Sequence, residues 1–144
     1  MLSIDKNTNN ISITRGDSGY VTVNLKKSDG SAYDITAADQ LVLSVKKSNS
    51  PMVLVRCEGD VASDTIRIPS ADTKMNSGEY LYDIQLIHNF YKNDQDEPMD
   101  AEDAIEEGIE PYDYDVFTVI SAKFYITLEV GKRTNTTPTK ANYD

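Results

Sequence analysis

The densest chemistry in this chain lies in residues 93–115. The stretch holds Asp94, Asp96, Glu97, Asp100, Glu102, Asp103, Glu106, Glu107, Glu110, Asp113 and Asp115, and neither Lys nor Arg. Carboxylates are hard oxygen ligands, so calcium binding is the first chemistry to weigh. Asp94-x-Asp96-x-Pro98 departs from the EF-hand pattern at the third ligand and lacks its turn-forming glycine. Glu106 and Glu110 are the residue types of a glycosidase acid pair. Acid-rich loops supply such pairs by chance, so the pairing has no specificity. The better reading is a solvated acidic loop or a partner-docking surface. Tyr112 and Tyr114 alternate with Asp113 and Asp115 at its end. They either offer an adaptable aromatic contact surface or pack the stretch back onto the rest of the domain. Tyr112, Tyr114, Asp113, Glu106, Glu107 and Glu110 are the candidate docking residues.

Other reactive residues stand alone. His88 is the single histidine and Cys57 the single cysteine. No Cys/His spacing for zinc, phosphate-cradling glycine loop or Ser/His/Asp grouping accompanies them. Cys57 ends the strand-like run Val53-Leu-Val-Arg-Cys57 and reads as a small buried hydrophobe. His88 reads as structural. Arg15-Gly16-Asp17 is an integrin-type tripeptide, but flanked by strands it reads as a turn. No enzyme, metal or cofactor is expected.

The elements that must position these residues are strands. In residues 78–87, Tyr80, Tyr82, Ile84 and Leu86 fall on one face, and Leu81, Asp83, Gln85 and Ile87 on the other. This period of two predicts a long central strand. Residues 2–5 and 11–14 predict an N-terminal hairpin across a turn-rich linker. Residues 20–27 alternate with Val21, Val23 and Leu25 inward, and 41–47 with Leu41, Leu43 and Val45 inward. Return strands follow at 52–58 and 65–68. Ser70 offers an N-cap for one helical turn over 71–75. After His88 the alternation collapses into the acidic stretch. There 98–107 predicts a short helix with Ala101, Ala104 and Ile105 as its apolar stripe and Gly108 as its stop. Strand returns over 116–130, with a bend or bulge at Ser121-Ala122. Short strands at regular spacing, without long helices between them, predict an all-β antiparallel sandwich. The expected layout is a domain over 1–131 with the acidic insertion 93–115 before the last strand, and a polar tail over 132–144.

Composition narrows the function classes. The net charge is −10, and the insertion's eleven carboxylates exceed it, leaving about +1 elsewhere. Nucleic acid and anionic membranes are poor partners for such a chain. No apolar run reaches the ~20 residues of a membrane span, and the N-terminus does not read as a signal peptide. Nine Tyr and three Phe with no Trp favour strands and contact surfaces.

Four segments together carry a family resemblance. They are Ile13-Thr-Arg-Gly-Asp17 leading to Val21-Thr-Val, Asp29-Gly-Ser-Ala-Tyr-Asp-Ile-Thr36 leading to Leu41-x-Leu-x-Val45, Ser77-Gly-Glu-Tyr-Leu-Tyr-Asp-Ile-Gln-Leu86, and Thr118-Val-Ile-Ser-Ala-Lys-Phe-Tyr-Ile126. In order and spacing they resemble the immunoglobulin-like N-terminal domain of phage baseplate upper proteins, and related small structural proteins of phages and prophages of Gram-positive bacteria. The resemblance implies an immunoglobulin-like β-sandwich and a virion protein with no catalytic residues, made in the host cytoplasm. It also implies other virion proteins as partners and a homo-oligomer in the assembled particle. The baseplate proteins continue into a helical or fibre region. This chain ends soon after the sandwich, which favours an accessory tail or baseplate component. A capsid decoration or head-fibre protein is the alternative, and a carbohydrate-binding module is the alternative of another class.

Overall fold

The computed structural model describes residues 1–128. They form β1 (Ser3–Ile4), β2 (Ile11–Thr14), β3 (Gly19–Thr22), β4 (Asp39–Lys46), β5 (Val53–Glu58), β6 (Thr65–Ile68), a 3-10 turn (Ser70–Thr73), β7 (Gly78–Lys92), β8 (Pro98–Met99), α1 (Ala101–Glu106) and β9 (Asp113–Thr127). The described chain is mostly strand with one short α-helix, as the period-two patterning requires. β7 is central in a seven-stranded sheet ordered β1-β2-β9-β7-β4-β5, with β8 paired to the far end of β7. β3 and β6 make a separate two-stranded antiparallel sheet.

One core joins the two sheets. Tyr80, Tyr82, Ile84 and Leu86 of β7 are buried, with Leu41, Leu43 and Val45 of β4, Ile11 and Ile13 of β2, and Phe124 and Ile126 of β9. Val21, Ile66 and Ile68 of the small sheet close over them, with Val23 and Leu25. Burying each large aliphatic side chain contributes roughly 1.5–3 kcal/mol. Tyr82 and Phe124 meet edge to face with centroids 6.1 Å apart. The buried tyrosines keep hydrogen bonds, Tyr80 to the Asn76 carbonyl at 2.6 Å and Tyr82 to the Asn9 carbonyl at 2.5 Å.

Several expectations need correction. The sheet is mixed rather than antiparallel, because β2 runs parallel to β9 with Ile11 opposite Phe124 and Thr14 opposite Thr127. These strands come from distant parts of the chain, so no tight turn dictates their direction. The ladder of β3 stops at Thr22, although burial still alternates through Val23 and Leu25. The 3-10 turn has Pro69, not Ser70, at its N-cap, and no side chain caps it. Thr73 is engaged elsewhere: its hydroxyl donates to the Asp17 carbonyl at 2.7 Å and accepts from Gly16 N–H at 3.1 Å. Arg15 donates to the carbonyls of Lys74 and Met75. The Arg15-Gly16-Asp17 segment is thus a turn tied to the 3-10 segment, with Gly16 at φ +86°. Burial stops alternating near His88, as expected, but the strand itself does not end there, since β7 continues to Lys92 and β9 begins at Asp113. The insertion therefore shrinks to 93–112. The irregularity in β9 falls at Val119, earlier than Ser121-Ala122: Ile84 faces Ile120 while Gln85 faces Thr118. The end of the expected last strand, Glu129 and Val130, with Gly131 and the tail 132–144, lies outside the described residues.

Candidate docking site

β7 and β9 form one hairpin, paired from Gly78 opposite Ile126 to Phe90 opposite Asp113. Their neighbours stop short of its tip. β4 flanks β7 only as far as His88. β2 flanks β9 only over Phe124 to Thr127. Among the described residues, β9 therefore has no strand neighbour on its outer edge over 113–122. The first part of β9 is exposed, with Tyr114 at 58%, Phe117 at 53% and Val116 at 44% accessibility. Pairing places Phe117 opposite the core residue Leu86, and Tyr114 opposite Asn89 on the outer face.

The insertion that joins the two strands is folded. Asn93 Oδ1 accepts the N–H groups of Gln95 and Glu97, each at 3.0 Å, and Asn93 N–H donates to the Glu97 carbonyl at 2.9 Å. This turn returns the chain so that Pro98 and Met99 pair with Lys92 and Tyr91. The predicted helix over 98–107 is thus shorter, because its first residues are drawn into β8. Gly108 ends α1 at φ +73°. Gly108 N–H reaches the Ile105 carbonyl and Ile109 N–H the Ala104 carbonyl, the two bonds of a Schellman cap. Ala104 is fully buried, whereas Ile105 is 43% exposed, so only part of the expected apolar stripe faces inward.

Lys92 braces the root of the insertion. Its ammonium pairs with Asp96 and lies 4.7 Å from the centre of the Tyr112 ring. Asp96 raises the Lys92 pKa above its ordinary value, chiefly through their hydrogen bond. Tyr112 N–H donates to the Phe90 carbonyl at 3.0 Å. Tyr112 thus packs partly on the hairpin root, and Tyr114 projects from β9. Asp113 N-caps nothing, but its Oδ1 accepts the N–H of Tyr114 at 2.8 Å. Glu106, Glu107 and Glu110 are exposed on and after α1. Among the described residues, Asp96 is the one insertion carboxylate in an ion pair. The others do not converge, and among the described residues no group of three or more His, Cys, Asp or Glu is placed to hold a metal.

A second constellation sits where the insertion meets the main sheet. A cavity of about 660 Å³ opens between the 35–38 loop, β7, β8 and the start of α1, lined by His88, Phe90, Met99, Glu102 and Tyr112 among others. Behind it Asp39 is completely buried. His88 Nδ1 lies 2.6 Å from Asp39 Oδ1; because a carboxylate only accepts, Nδ1 carries the proton. Asp39 Oδ2 accepts from Tyr33 Oη at 2.9 Å, Thr36 N at 2.9 Å and Thr36 Oγ1 at 3.1 Å. Burial pushes the Asp39 pKa up, but the bonds from His88, Thr36 and Tyr33 outweigh it and hold it below the ordinary value. Burial, reinforced by Asp39, pushes Tyr33 up to about 12. The sequence analysis did not single out this site. Its signal was Tyr33-x-x-Thr36-x-x-Asp39, with an acid directly before the apolar run of β4. Cys57 is buried, and burial together with nearby Asp72 pushes its thiol up to about 12, a protonated and poorly nucleophilic state.

No described helix is long and apolar enough to cross a membrane. Comparison with protein-family models, curated proteins and solved structures yields no match.

Proposed function

We propose that this chain is a non-enzymatic bacteriophage virion protein, an accessory tail or baseplate component that docks by protein–protein contacts. The observation that carries the reading is the distal β7–β9 hairpin. It holds Tyr114, Val116 and Phe117 in water on a rigid ladder, beside eleven carboxylates with one basic partner. Exposed aromatics on a preformed element are what a contact surface needs, because little ordering entropy is lost on binding. The resemblance to phage immunoglobulin-like domains supports the virion setting. Its four segments fall largely on β2, β4, β7, β9 and the turns that lead into them, and on this reading the two sheets are an immunoglobulin-like sandwich. His88 and Asp39 serve as a brace in it, since three donor residues close around the carboxylate. Repetition on the particle gives the homo-oligomer.

Immunogold labelling of purified particles from the source phage or induced lysogen tests the reading. Gold at the tail end supports it. Gold over the head promotes capsid decoration instead. With an antibody proven on the native protein, particles free of gold remove the virion role. Replacing 93–112 by a two-residue turn should leave the core folded and abolish incorporation; normal incorporation would reduce the insertion to a surface feature. The carbohydrate-binding reading draws on one observation, the cavity with Phe90 and Tyr112 beside Glu102. A glycan array without hits removes it.

A further inference from the structure

We propose that the outer edge of β9 over 113–122 accepts an added β-strand from a partner protein. The partner segment is extended, with apolar residues along 117–120 and Lys or Arg beside Asp113 and Asp115. This inference rests on the docking reading and names the chemistry of its partner.

The backbone defines what fits. Lys123 N–H points away from β7, since it donates to Asn10 Oδ1 at 3.0 Å. Backbone direction alternates along a strand, so Ser121 presents its N–H and C=O to the same open side. A row of unpaired peptide groups is satisfied best by another strand. The side chains define its sequence. A groove of about 400 Å³ runs between segment 23–26 and Thr118, Val119 and Ile120. Its floor includes the buried Val23 and Leu25, and Lys26 stands at its margin. Phe117 and Val116 lie exposed just beyond. An incoming strand lies along β9 on the side of segment 23–26 and lowers apolar side chains into this gap.

Charge selects among occupants. Asp113 and Asp115 flank the edge and the rest of the acidic insertion adjoins it, so a cationic segment is attracted. A second copy brings another net charge of −10 to the same place and is opposed. The bulge at Val119 interrupts the edge, which favours a short added segment over a long continuous ladder.

The test uses the full chain and a short synthetic peptide of alternating Lys and Val, titrated calorimetrically at physiological ionic strength. Saturable binding is expected, weakened about tenfold or more by Ser121→Pro, which deletes an outward N–H without touching the β7 ladder. The same peptide N-methylated at alternate residues keeps its charge and should not bind. D113N/D115N should weaken binding and flatten its salt dependence. Equal binding of the N-methylated peptide would reduce the interaction to charge alone and overturn the inference, whether or not Ser121→Pro folds. A concentration-dependent dimer in sedimentation, dissolved by Ser121→Pro, would overturn it by giving the edge to a second copy. Particles separate this failure from that of the docking reading. If folded Ser121→Pro protein still labels particles as the native chain does, the strand inference falls and the virion role stands. If the native chain never labels them, the role itself falls.

Discussion

β7 and β9 each pass through two environments on one continuous ladder. Near the base, Tyr80, Tyr82 and Ile84 pair with Phe124, Ala122 and Ile120, with β2 beside β9 at Phe124 and β4 beside β7 from Leu81 onward. Near the tip, His88 and Phe90 pair with Asp115 and Asp113, and nothing among the described residues flanks β9. Backbone hydrogen bonds are the same in kind at both ends. Apolar burial is not, and burial supplies most of the stabilisation. Residue identity at the base therefore answers to packing. At the tip no core packing constrains it, so on the proposed reading stability and docking are carried by separate halves of the same two strands.

The largest effect that tests this division is a matched pair of phenylalanines. Phe124→Ala removes a ring that is 1% exposed and should cost about 3–5 kcal/mol, read by denaturant unfolding. Phe117→Ala, on the same strand, should stay within about 0.5 kcal/mol. A comparable loss at both sites would erase the distinction. Next comes Asp39→Asn, which disrupts the charged acceptor of His88, Thr36 and Tyr33 and should cost about 2–4 kcal/mol near neutral pH. Its pH dependence has a definite sign. The folded carboxyl lies below its ordinary value of 3.8, so its contribution is fully present above that pH. It is lost as pH falls through the lower, folded value. The gap between native chain and Asp39→Asn should narrow only in that acid range; a gap that widens on acidification would contradict the assignment. Gly108→Ala forces a left-handed φ on a side chain where nothing crowds the Cβ. About 1–2 kcal/mol of local cost is expected, seen as faster amide exchange in α1 with the core's protection unchanged. Smallest of all is Tyr114→Ala, within about 0.5 kcal/mol in melting yet deleterious to incorporation into particles.

The base of the hairpin was legible because one physical rule governs it. A half-buried strand must alternate, and residues 80–86 do so without a break. The tip obeys a different rule. Tyr114, Val116 and Thr118 share a face with no core beneath it, and acids fill the positions where burial would have marked the register. The same strand therefore read as an acidic loop. Pro98 and Met99 were drawn into a helix by proximity to Ala101 and Ala104; pairing with Tyr91 and Lys92 decided otherwise. Among the candidate residues, Tyr112, Asp113 and Tyr114 lie at the hairpin tip, and Glu106, Glu107 and Glu110 on the helix and its exit. Phe117 escaped notice because an apolar residue in an apolar run looks like core until its neighbours are known.

The sequence alone determined that the chain is β-rich, which face of β4 and of the base of β7 is buried, where α1 stops, and that the negative charge is concentrated in one stretch. These follow from local periodicity, a glycine's backbone freedom and the count of charges. Only the tertiary structure decided that β2 lies parallel to β9, that Asp39 is buried against His88, and that β9 keeps an open edge beside a groove. Each of those depends on which distant segments become neighbours, and on how far each neighbour extends along a strand that alternates the same way whether or not it is covered.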